Sequence, residues 1–122
     1  MFAALQAART ALALIPGVAS CKIGIEPGIA PLDYPMIRLV PSRIIPGRPY
    51  SKRTAEVSIY FGHDTSTAEA GGLEAVYAAL FVMEAAIIVK VKALGGRYID
   101  TVTDKDRLDL FKLNVVRCEL LG

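Results

Sequence analysis

His63 and Asp64 stand side by side, the only place where the single histidine of the chain meets an acid. An imidazole oriented by a carboxylate is the base of a nucleophilic triad, and such a base needs a hydroxyl or thiol within reach. Ser58, Thr65 and Ser66 are near in sequence, but no GxSxG elbow frames any of them. The pair therefore reads as a strand-end histidine beside a helix-capping aspartate, and a small enzyme centred on His63 and Asp64 is the alternative. Cys21 and Cys118 lie 97 positions apart, with no CxxC or Cys/His spacing for zinc. Each sits in an apolar run and reads as a buried free thiol. Asp100, Asp104, Asp106 and Asp109 lack the glycine and the terminal glutamate of a calcium loop, so they read as a charged turn around Asp104–Asp106. Gly71-Gly72 and Gly95-Gly96 match neither a dinucleotide fingerprint nor a phosphate loop and read as helix punctuation. No catalytic residue, cofactor or metal is expected.

The segment from Arg38 to Arg53 is different. It holds Arg38, Arg43, Arg48, Lys52 and Arg53, no acid, and much of the proline. It reads as a basic loop turned toward a partner, with Arg43, Arg48, Lys52 and Arg53 as docking residues. Tyr50 is its only aromatic, and a net charge of +2 is little for nucleic acid to hold, so DNA contact is expected to be weak and transient. Charge is also divided along the chain. Residues 1–63 carry seven basic and three acidic groups, and residues 64–122 seven and nine. Such halves suit one copy meeting the next.

These residues must be positioned by a single domain, since 122 residues give one core. The spacing predicts a helix over 2–15 stopped by Pro16-Gly17, then strands at about 18–25, 36–45 and 55–62. Pro41 is expected to interrupt the second of these, as proline is confined to edges and loops. Val57, Ile59 and Phe61 alternate with Glu56, Ser58 and Tyr60, the clearest period of two in the chain. A long helix follows at 73–94, then strands at about 97–103 and 110–121. One stripe of the long helix runs Leu73, Val76, Leu80, Met83, Ile87, Val91 and Leu94. The far side is apolar too, with Ala78, Phe81, Ala85, Ile88 and Val89, whereas a surface helix is normally polar there. Phe81, Ile88 and Val89 are thus expected at an interface between copies. Glu74, Glu84, Lys90 and Lys92 interrupt the 73–94 run, so no membrane span is expected. Met1–Leu14 lacks the layout of a secretory leader, and a cytosolic location is expected. The fold class expected is α+β: a sheet of four or five mostly antiparallel strands with both helices on one face.

This α-β-β-β-α-β-β order, with Gly24-Ile25-Glu26-Pro27-Gly28 and the stretch Asp33–Pro41, resembles the tail terminator (tail completion) and neck proteins of long-tailed bacteriophages and prophages. The resemblance spans nearly the whole chain. It implies a structural virion protein, a homo-oligomer forming a hexameric ring that caps the tail tube and offers a surface for head attachment. The implied partners are the tail tube protein and the head connector proteins, and the implied places are the bacterial cytoplasm during assembly and the virion neck. A head-tail joining protein is the nearest alternative. The resemblance implies no catalytic residues.

Overall fold

A computed structural model describes residues 2–24, 35–45, 54–64, 68–106 and 111–121. The elements are α1 (Phe2–Ala13), β1 (Ser20–Ile23), β2 (Met36–Ile45), β3 (Thr54–Asp64), α2 (Ala68–Ala93), β4 (Arg97–Asp106) and β5 (Phe111–Leu121). They form one five-stranded sheet in the order β1-β2-β3-β5-β4. β1 runs parallel to β2, and the other pairs are antiparallel. The α+β class and the element order are those expected from the sequence.

The pleat explains the core. Ala55, Val57, Ile59 and Phe61 of β3 are buried, and the residues directly opposite on β5 include Leu120, Cys118 and Val116. Ile37 and Leu39 of β2 join them on the same side. Residues facing each other across an antiparallel pair share a face, so these side chains form one continuous apolar surface. α1 covers it with Leu5, Ala8 and Leu12, and α2 with Val76, Leu80, Met83, Ile87 and Val91. Of the predicted inner stripe, Val76, Leu80, Met83, Ile87 and Val91 are buried, Leu94 lies past the helix end and is exposed, and the Leu73 side chain lies outside what the structure describes.

Several boundaries move. α2 starts at Ala68, so Gly71-Gly72 lies inside the helix rather than before it. Two glycines cost about 2 kcal/mol of helix propensity, and the packed turns that follow offset that cost. Pro41 does not end β2. β1 reaches only to the level of Leu39, so Pro41 sits where β2 has no described neighbour on that side. A missing N–H is tolerated at such an edge. The register slips there, between Pro41 and Arg43, and the Ser42 hydroxyl donates to the Glu56 carbonyl at 3.0 Å. β4 continues through Asp104–Asp106 instead of turning, because a bulge between Val102 and Asp106 absorbs the extra residues.

Gly96 makes the joint between α2 and β4. A Cβ placed on it would come within 2.9 Å of the Glu119 carbonyl oxygen and of side-chain carbons of Val91 and Leu120. The preceding Gly95 has φ +78°, the left-handed turn that closes the helix.

Candidate assembly surface

The solvent side of α2 is built by the same periodicity that builds its core side. With Val76, Leu80, Ile87 and Val91 turned inward, residues half a turn away must face out. Val82 is 72% exposed, Val89 64% and Phe81 49%. Ala75, Ala78 and Ala85 are exposed between them. Phe81 is held from one side by Tyr77, the rings 6.3 Å apart and inclined at 29°. Of the three interface residues expected from the sequence, Phe81 and Val89 are exposed and Ile88 is half-buried at the margin. Among the described residues, Val82 is the most exposed large apolar side chain on this helix and was not singled out. Its signal was present in the step of four from Ala78 and seven to Val89.

The sheet face away from the helices has the opposite character at one end. Arg43 of β2 lies 3.6 Å from Glu56 of β3. Arg97 of β4 grips Glu119 of β5 with Nε and Nη2 at 3.2 and 2.9 Å. Arg117 of β5 holds Asp100 of β4 through the same two nitrogens. Glu56 and Glu119 are directly opposite in register, a repulsive placement, and each has an arginine on its outer side. The forks are charge-assisted and bidentate, and they hold the Asp100 and Glu119 carboxyls below the usual carboxylate range.

The basic segment is corrected by this arrangement. Arg38 is fully buried rather than presented to a partner, its Nη1 donating to Ser20 Oγ at 3.0 Å and to the Ile37 carbonyl at 2.9 Å. Arg43 belongs to β2 and pairs with Glu56, so it is not a loop residue. Arg48, Lys52 and Arg53 lie outside the described residues.

Among the described residues, His63 and Ser58 are not brought together. His63 is half-buried near the end of β3, and Ser58 lies five positions back, an odd number that places the two on opposite faces of the strand. Thr65 and Ser66 lie outside the described residues. An open depression of about 320 Å³ touches Ser42, Glu56, Ser58, Ile99 and Arg117. Its charged groups are those already paired with Arg43 and Asp100. Cys21 and Cys118 are free thiols; Cys118 is buried, as expected, whereas Cys21 is only half-buried. Burial pushes Cys21 up to about 11 against the nearby Arg38 and Arg9 charges, and Cys118 up to about 12. Among the described residues, no three His, Cys, Asp or Glu side chains converge as metal ligands. No helix among them is long and apolar enough to cross a membrane. No protein-family model matches the chain, and no curated protein matches it either.

Proposed function

We propose that this chain is a structural protein that works by associating with itself, and that it serves as a ring-forming tail terminator in the neck of a long-tailed phage or prophage. The observation that carries the self-association is the solvent side of α2, where Phe81, Val82 and Val89 meet water with no charge among them. Covering one such side chain is worth about 1.5–3 kcal/mol, which a second molecule can supply. The tail reading comes from the resemblance of element order and of the Gly24–Gly28 and Asp33–Pro41 stretches. In that role the ring, six copies by the family pattern, docks on the tail tube and meets the head connector.

The test adds purified chain to unfinished tails and then to filled heads. Capped tails that accept heads support a terminator, and binding to heads first supports a head-tail joining protein. Light scattering supplies the other arm. Phe81→Glu should weaken association at least about tenfold while the melting temperature stays within a few degrees. A wild-type chain that stays monomeric at every concentration, with tails present or absent, sinks the proposal.

A further inference from the structure

The exposed face of α2 has a pattern beyond its apolarity. Ala75, Ala78, Val82, Ala85 and Val89 follow one another at alternating steps of three and four, and all five are exposed. That spacing keeps one stripe turned toward a second helix, with valines as knobs and alanines leaving room for them. Among the described residues, the exposed charges of the helix sit at the ends of the stripe. Glu74 and Lys92 are both exposed and are 18 residues apart, which is five whole helical turns. They therefore stand on the same flank of the face, about 27 Å apart at 1.5 Å per residue. Each is nine positions from Met83. A second copy of the helix, turned end for end about a two-fold axis at that level, sets Glu74 against its Lys92 at both ends at once. A parallel, in-register copy would instead bring like charges to the same level. Antiparallel helix dipoles add to the preference.

We propose that α2 pairs with α2 of a second copy, antiparallel, with Val82 and Ala85 in the central turns and a Glu74–Lys92 pair closing each end. This rests on the reading of that face as the self-association surface, and not on the tail reading. A two-fold contact closes on itself. A terminator ring offers one side to the tail and the other to the head, so it has no two-fold axis across it. In that setting the antiparallel pair is the resting form of the free chain, and it opens when the ring is built. A seam of one helix is smaller than the roughly 800 Å² per partner of a standard interface, so the pair is weak enough to open.

Sedimentation velocity across a concentration series tests it with wild type, Glu74→Lys, Lys92→Glu, the double exchange and Val82→Glu. All three positions are exposed, so the fold should be retained, and circular dichroism checks that. Each single exchange turns two attractions into two repulsions and should weaken the dimer roughly tenfold at low salt. The double exchange should restore it to within about twofold, because the pairs are rebuilt with the signs reversed. Single exchanges that leave the dimer unchanged while Val82→Glu dissolves it overturn the antiparallel arrangement and leave the self-association surface standing. A chain that is monomeric throughout, or that associates regardless of Val82→Glu, overturns both.

Discussion

Two surfaces of this molecule face away from the core, and they meet water in different ways. At the open end of the sheet, Arg43, Arg97 and Arg117 are matched by Glu56, Glu119 and Asp100 across four strands. Each of these six charges has a partner within its own chain. On the solvent side of α2, Phe81, Val82 and Val89 are largely open to water, with Tyr77 against one side of the Phe81 ring. A face of satisfied ion pairs gains little from a second protein and must be stripped of water to receive it. A face of exposed apolar groups gains in proportion to what is covered. Association is therefore expected to concentrate on the helix side, although the sheet side carries the more conspicuous charges.

The largest effect should separate the two sides of α2 itself. Leu80→Ala removes a fully buried side chain between the helix and the sheet. It should cost about 2–5 kcal/mol in urea unfolding. Val82→Ala, two positions away, should cost less than about 0.5 kcal/mol in dilute monomer. Equal costs would make the outer face part of the core and remove the contrast. Gly96→Ala comes next. Its new methyl meets a backbone carbonyl, which cannot swing aside as a long side chain can. A loss of about 1–3 kcal/mol is expected, with association of the folded chain unchanged. A neutral Gly96→Ala would mean that the joint holding α2 on the sheet yields freely.

What the sequence revealed follows from where its signals are periodic. β3 and the inner stripe of α2 were legible because burial on one side imposes a period, and one residue of slip would expose the whole set. Their exposed faces were legible as the complement, which is how Phe81 and Val89 were found. Ile88 lies near the boundary of the stripe, where a helical wheel cannot decide between margin and face. β2 was misjudged at Pro41 because the rule against proline depends on which neighbours a strand has, and pairing is not local. Arg38 was misjudged for a similar reason. A charge count treats each arginine as solvated, whereas this one is buried in β2 against Ser20 of β1, eighteen positions earlier. The parallel β1–β2 pair and the insertion of β5 between β3 and β4 are likewise long-range facts. That insertion sets Glu119 opposite Glu56, while the Arg97–Glu119 and Arg117–Asp100 forks follow from the pairing of β4 with β5.

The smallest effect tests the other half of the comparison. Arg97→Ala with Arg117→Ala releases Glu119 and Asp100 from their forks. In the folded chain these carboxyls are held below their ordinary values near 4, so the unfolded chain binds protons more readily than the folded one. Their contribution is complete above the unfolded pKa and is lost as pH falls through the lowered folded values. Wild-type stability should therefore drop between about pH 5 and pH 3, and the double variant should drop less steeply. At pH 7 the two should differ only slightly, and salt should narrow the gap further, because these pairs are solvent-exposed. Self-association should not change. If the double variant instead loses association as Phe81→Glu is expected to, the paired charges are part of a contact between copies, and the sheet rather than the helix is the face that assembles.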